Sequence, residues 1–212
     1  RGDVMAIAVP VAALALLPIL KEEQLRHWPT MPIPSALAAQ VQKESCITLK
    51  HSKCWNVRAE LKTDREYGFG LGQITITKKF NVFEELKASN KALADWRWED
   101  RFNARYQLRA IVIKDLQCNN MMRNTATPLD RLKMAFSCYN GGGGGVLKDR
   151  RLCSNTVGCD PRVWDGNVEL TSFKSKVAVK GYGQSFYAIN RGYVKALIEL
   201  QPHRAKYVPY ME

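Results

Sequence analysis

Residues 68–77 read GFGLGQITIT. The glycines break any helical pattern, and the run ends on alternating isoleucine and threonine, the β-branched signature of an extended segment. Helical periodicity lies further out, beyond the loop-like residues 46–67 on one side and from residue 82 on the other. This one segment therefore decides between an all-helical chain and a mainly α, α+β domain with a small β element, and it favours the second.

Working outward toward the carboxyl end, residues 82–98 and 101–117 read as helices. Leu108, Ile111, Val112 and Leu116 mark the apolar face of the second. Pro128 opens another helix, to about Tyr139. Five glycines, Gly141–Gly145, follow it, and then a polar, cysteine-bearing stretch over 147–170. Tyr187 to Leu200 reads as the last helix. Toward the amino end, residues 46–67 are polar and loop-like and contain Cys46, Cys54 and Trp55. Ser35 looks like the N-cap of a helix running to about Ser45. The proline-rich WPTMPIP (28–34) breaks the chain before it. No linker separates two complete core patterns, so residues 29–212 read as a single domain preceded by an apolar segment, 1–28.

That segment contains VMAIAVPVAALALLPIL (4–20), which is uncharged. It falls slightly short of the roughly 20 residues that span a bilayer as a helix. It lacks the basic leader and small-residue cleavage site of a secretory signal. Two readings stand: a helix from Ala12 to Arg26 packed on the domain, with Pro18 kinking it, or a signal-anchor that tethers the chain to a membrane and then releases it.

The 212 residues carry 32 Lys+Arg against 20 Asp+Glu, a formal net charge of +12. Charged residues make up 25%, the ordinary globular share, which excludes a mainly disordered chain. The excess points to a polyanionic partner: nucleic acid, an anionic membrane surface or bacterial cell wall. Arg97, Arg101, Arg105 and Arg109 stand at four-residue steps and would form a helical stripe. No helix-turn-helix, RNA-recognition signature or zinc finger accompanies them.

The six cysteines are Cys46, Cys54, Cys118, Cys138, Cys153 and Cys159. An even count suggests a disulfide framework and an oxidising compartment. The competing readings are free core thiols and metal binding, although no pair is as tight as a zinc knuckle and His27, His51 and His203 are scattered. Short-loop pairs Cys46–Cys54 and Cys153–Cys159 would leave Cys118–Cys138, one of about 15 connectivities.

Three elements carry candidate chemistry. Leu37, Val41 and Glu44 share one helix face, which is otherwise apolar. A carboxyl there is either paired with a cation or partly desolvated, and it sits in the last turn, where the macrodipole disfavours negative charge. Such a group kept protonated is a general acid. In the second element, Gly68-Phe69-Gly70-Leu71-Gly72-Gln73-Ile74, Gln73 stands where a dinucleotide loop needs its third glycine. The glycines there suit close approach of the backbone to a ligand, with Gln73 offering an amide, or else a twisted hairpin strand. The third is Ala135-Phe136-Ser137-Cys138-Tyr139-Asn140-Gly141-Gly142, a helix end that would expose a phenol and an amide.

In this order, Glu44-Ser45, Gly70-Leu71-Gly72-Gln73-Ile74 and Tyr139-Asn140-Gly141-Gly142 resemble the soluble lytic transglycosylases. That family carries Glu-Ser at a helix end, a Gly-Leu-Met-Gln segment and an Ala-Tyr-Asn-Ala-Gly segment. The resemblance covers residues 33–146. More loosely, 160–169 and 181–187 look like phage-encoded relatives. Gly72 replaces the usual Met, and Cys138 and Gly141 replace the two alanines.

The resemblance implies a lysozyme-like fold with a cleft between two lobes and cleavage of the β-1,4 bond between N-acetylmuramic acid and N-acetylglucosamine, by a phage endolysin type of enzyme. Glu44 would be the catalytic acid and base, with Tyr139 orienting it or the substrate. Ser45, Gly70, Gln73, Asn140 and Tyr182 would line the substrate site, and Trp55 and Tyr182 could face sugars. No metal or organic cofactor is called for. The implied partners are peptidoglycan glycan strands and an anionic outer or inner membrane surface, with no nucleic acid, for a monomer acting in the periplasm. The rival within carbohydrate chemistry is a goose-type lysozyme with Asp64 or Glu66 activating water. The non-enzymatic rival is a basic module binding nucleic acid or membrane.

Overall fold

The computed structural model describes residues 9–46 and 54–212. It is mainly α-helical with one three-stranded antiparallel sheet, the α+β class expected. The chain packs as two compact units. One holds the described residues up to Ile113 together with Leu200–Glu212, and the other holds Lys114–Glu199.

In the first unit, helices α1 (Val11–His27), α2 (Pro34–Ser45) and the short carboxy-terminal α8 (Val208–Met211) pack on one another. α1 buries Ala13, Leu17 and Leu20, and Pro18 lies inside it. This agrees with the packed-helix reading of the amino segment, of which residues 4–8 lie outside the described residues. Among the described residues no helix is long and apolar enough to cross a membrane. Ser35 is not the N-cap expected of it. Pro34 occupies the first turn and Ile33 the cap position, while the Ser35 hydroxyl donates to Glu212 and accepts from Arg204 Nη1 at 2.9 Å. Proline at the first helical position needs no N–H partner, which frees the serine for that role.

Strands β1 (Glu60–Lys62), β2 (Glu66–Phe69) and β3 (Ile74–Thr77) form a meander with Phe69 opposite Ile74. Residues 68–77 thus hold the end of β2, the turn over 70–73 and β3 rather than one extended segment, and part of the loop expected over 46–67 is strand. The sheet lies against α3 (Val82–Ser89). Asn81 caps α3 by accepting the Glu84 N–H at 3.1 Å. The helix expected over 82–98 stops at Ser89, and short turns at Lys91–Leu93 and Trp98–Asp100 follow it. The reason is aromatic packing. Phe69, Phe83, Trp96 and Trp98 converge with ring centroids 4.7–6.1 Å apart, which a straight helix would not allow.

α4 (Ala104–Met121) runs on into the second unit, where α5 (Pro128–Gly141), α6 (Gly143–Ser154) and α7 (Phe186–Ile198) pack around α5. Pro128 does open α5. Thr127 caps it, accepting the Asp130 N–H at 3.0 Å while its hydroxyl donates to the Asp130 carboxylate at 2.6 Å. The five glycines are not a linker. Gly142, at φ +85°, separates two helices. A Cβ at Gly143 would sit 2.2 Å from Met121 Sδ of α4, so a side chain there would push the methionine aside. α6 accordingly replaces the first part of the polar stretch expected over 147–170.

All six cysteines are paired: Cys46–Cys54, Cys118–Cys138 and Cys153–Cys159, the connectivity suggested by the short loops. The arginine stripe is not one surface. Arg97 pairs with Asp100, and Arg101 lies over the Trp98 and Phe102 rings, both before α4 begins. Arg105 and Arg109 reach Glu22 and Glu23 of α1.

Candidate active site

Glu44 stands in the last turn of α2, half-buried, on the face whose other members Leu37 and Val41 are fully buried. The chain around it is tied down twice. Cys46 is bridged to Cys54. The Ser45 hydroxyl donates to Val41 O at 2.6 Å and accepts the Trp55 N–H at 2.8 Å. Ser45 is wholly buried by these contacts, and this internal role replaces the substrate contact expected of it. Trp55, held at φ 60°, is buried as well and so is not an open sugar platform. Its indole N–H donates to the Tyr207 hydroxyl at 2.9 Å, which donates in turn to Gln42 Oε1 at 2.6 Å. Burial pushes the Tyr207 phenol well above its ordinary value, so it remains a neutral donor at any physiological pH. The end of α2 that carries Glu44 thus has a rigid backing, the support a catalytic carboxyl requires.

The glycine-rich turn belongs to the same unit. Gly70 adopts φ +76°, and its N–H donates to Ala59 O at 2.7 Å. What approaches its missing side chain is not a ligand but Gln107, whose Cδ would lie 2.5 Å from a Cβ there. Gln107 is buried and fully employed. Its Oε1 accepts the Leu71 N–H at 2.8 Å, and its Nε2 donates to Val57 O and Arg101 O at 2.8 and 2.9 Å. It fastens the turn to α4, a function that no spacing in the sequence signals. Gln73, at φ 47°, donates to Gly70 O at 3.0 Å and to Ala59 O at 3.3 Å. Its Oε1 is sheltered and has no hydrogen-bond partner. The amide expected to bind a polar ligand is thus turned inward, its nitrogen on backbone carbonyls and its oxygen against Gly68.

Gly70→Ala should therefore destabilise the protein by about 3 kcal/mol, through left-handed strain and displacement of Gln107. Thermal melting of the variant beside Gly72→Ala checks this. A loss no larger at Gly70 than at Gly72 would show that Gln107 yields easily.

Asp64 lies exposed in the turn between β1 and β2, and Glu66 is half-buried at the start of β2, both in the first unit. The remaining candidates belong to the second unit. Tyr139 is buried near the end of α5 and stacks on Tyr193 with centroids 6.5 Å apart. The Lys114 ammonium lies 3.8 Å from its ring centroid and also donates to Tyr139 O at 3.2 Å. Asn140 is exposed. Its Oδ1 accepts from Asn190 Nδ2 at 3.0 Å, and the same nitrogen donates to Ser137 O at 3.0 Å. Asn190 and Lys114 are thus supports that the motif reading missed, because a residue some 25 or 50 positions away leaves no local trace. Tyr182 is half-buried beside Phe186, with centroids 6.1 Å apart.

Among the described residues no group of three or more His, Cys, Asp or Glu is placed to hold a metal ion. No family model matches the chain, and no curated protein matches it.

Proposed function

We propose that the protein is a peptidoglycan lytic transglycosylase, a cell-wall lysin of the phage endolysin type that works in an oxidising compartment such as the periplasm. The observation that carries the reading is Glu44: a half-buried carboxyl on an apolar helix face, braced by the Cys46–Cys54 bridge and by the Ser45–Trp55 hydrogen bond. The ordered motifs support it as well. Three disulfides suit export. The +12 charge suits a wall and envelope rich in carboxylates and phosphates.

In this reading Glu44 gives its proton to the glycosidic oxygen as the bond to C1 breaks. The acetamido carbonyl of the muramic acid residue stabilises the positive charge at C1, substrate assistance rather than a second protein carboxylate. Glu44, now ionised, takes the proton of the C6 hydroxyl. O6 then bonds to C1 and closes a 1,6-anhydro ring. The proton count at Glu44 is restored, and no water is consumed.

Mass spectrometry of the products from purified peptidoglycan tests this directly. Muropeptides ending in 1,6-anhydromuramic acid, one water lighter than hydrolysis products, are expected. Reducing-end muramic acid would make the protein a lysozyme and transfer the second role to Asp64 or Glu66, which share a unit with Glu44. No product at all would return the basic binding module.

A further inference from the structure

The segment between α6 and α7 is absorbed by none of this chemistry. From Leu170 to Ile198 the chain has no acidic residue, while Lys174, Lys176, Lys180, Arg191 and Lys195 are basic. Its base is firmly anchored. Thr171 Oγ1 donates to Asp149 O at 3.1 Å, and Asp149 also holds Lys174 at 3.5 Å and Arg191 at 2.9 Å. On the other side the Tyr187 N–H donates to Ser175 O at 3.1 Å, and its hydroxyl to Glu169 O at 2.8 Å. The tip closes through Val179 N–H to Gln184 O and Tyr182 N–H to Val179 O, both 3.0 Å, with Gly181 and Gly183 at positive φ.

What this anchored loop displays is apolar and cationic together. Val177 is 76% exposed and Phe173 69%. Ala178, Lys176 and Lys180 are exposed beside them. Folding has buried Lys174 of the loop, with Arg191 of α7, against Asp149 and left the apolar side chains outside, the reverse of what water alone favours.

From this we infer that the loop is a membrane-surface element: Val177 and Phe173 enter the boundary between headgroups and acyl chains of an anionic bilayer while Lys176 and Lys180 meet lipid phosphates. Charge complementarity selects an anionic surface, since the loop offers phosphates no repelling carboxylate. The apolar part selects lipid over duplex nucleic acid: against a duplex whose bases are stacked inside, Phe173 and Val177 stay in water beside the phosphates, whereas transfer into the acyl boundary buries both. The inference is independent of which bond the protein cleaves.

The test is co-sedimentation of the full chain with phosphatidylglycerol/phosphatidylcholine vesicles, beside pure phosphatidylcholine vesicles and a duplex DNA competitor. Binding is expected to the anionic vesicles alone. Each lysine near such a surface contributes about a fivefold gain, so Lys176→Gln with Lys180→Gln should weaken binding about 30-fold. Phe173→Ser with Val177→Ser, which leaves the charge unchanged, should weaken it about tenfold. All four side chains are exposed, so unchanged melting curves serve as the folding control. Serine variants that bind as the parent does would overturn the inference. So would failure to bind anionic vesicles, or DNA that displaces the vesicles while the serine variants keep full affinity for DNA.

Discussion

Replacing Glu44 by Gln lowers the rate of glycan-strand cleavage about 10³-fold, the usual worth of a positioned proton donor, and leaves the melting temperature within about 2 °C of the parent. The isosteric amide keeps the shape of the last turn of α2 and keeps Ser45, Trp55 and the Cys46–Cys54 bridge in place. It cannot give up a proton to the leaving oxygen, and it cannot receive one from O6. Both half-reactions therefore fail together, so kcat falls while substrate binding is little changed. Release of soluble muropeptides, read against the melting curve of the same preparation, separates loss of chemistry from loss of fold.

The same assay applied to Asp64→Asn and Glu66→Gln divides the two carbohydrate readings. In a transglycosylase the second carboxylate has no part, so each variant should stay within about threefold of the parent rate. A loss at Glu66 as deep as that at Glu44 would assign it to water activation. A retained rate in Glu44→Gln itself would remove Glu44 from the catalytic role.

The helix bearing Glu44 and the helix opened by Pro128 were legible because their signals are local. An apolar face recurs at helical spacing, and a proline stands at a first turn. The hairpin was half legible: β-branched residues announced β3, but the turn before it is shaped by Gln107, 37 residues beyond Gly70 in the chain and visible only as a clash with an imagined Cβ. In the glycine run the helix stop at Gly142 has a local signal, but the second helix beginning at Gly143 has none, since glycine is a poor helix former. The arginines misled in the opposite sense. Four-residue spacing is a helical pattern only where there is a helix, and the Trp98–Asp100 turn, with Arg97 and Arg101 on either side of it, ends that condition before Arg105. Of the candidate site, Glu44, Tyr139 and Asn140 could be named from the sequence because helix ends carry local signals. The residues that hold them, Gln107, Lys114 and Asn190, act across the fold and carry no motif.

Two of those arginines lead to the second large effect. Glu23 of α1 is almost wholly buried. Arg109 approaches it at 2.9 Å, Arg105 at 3.1 Å and His27 at 3.1 Å. Burial alone would raise the Glu23 carboxyl, but the hydrogen bonds from Arg109 and Arg105 and the Arg109 and His27 charges outweigh it and hold it below its ordinary value near 4.5. Glu23→Ala leaves the mostly buried Arg109 facing α1 without its counter-charge, and should cost about 4 kcal/mol. In a chain of this size that lowers the melting temperature by roughly 10 °C.

The pH dependence has a definite sign. Burial and the Arg109 and Arg26 charges lower His27 below 6.5, against the pull of Glu23. Protonating it therefore costs stability as pH falls from about 6.5 toward the depressed folded value. The depressed Glu23 pKa adds stability that is complete above about 4.5 and is lost as pH falls through the folded value. Parent protein should thus weaken in two acid steps. Glu23→Ala, starting lower, should lack the second and deepen the first, because His27⁺ no longer meets a carboxylate. Melting curves at half-unit steps between about pH 7 and pH 3 measure both. A parent that instead gains stability as pH falls through the upper window would mean that the imidazole is held as a cation in the fold, with three cations around one carboxylate.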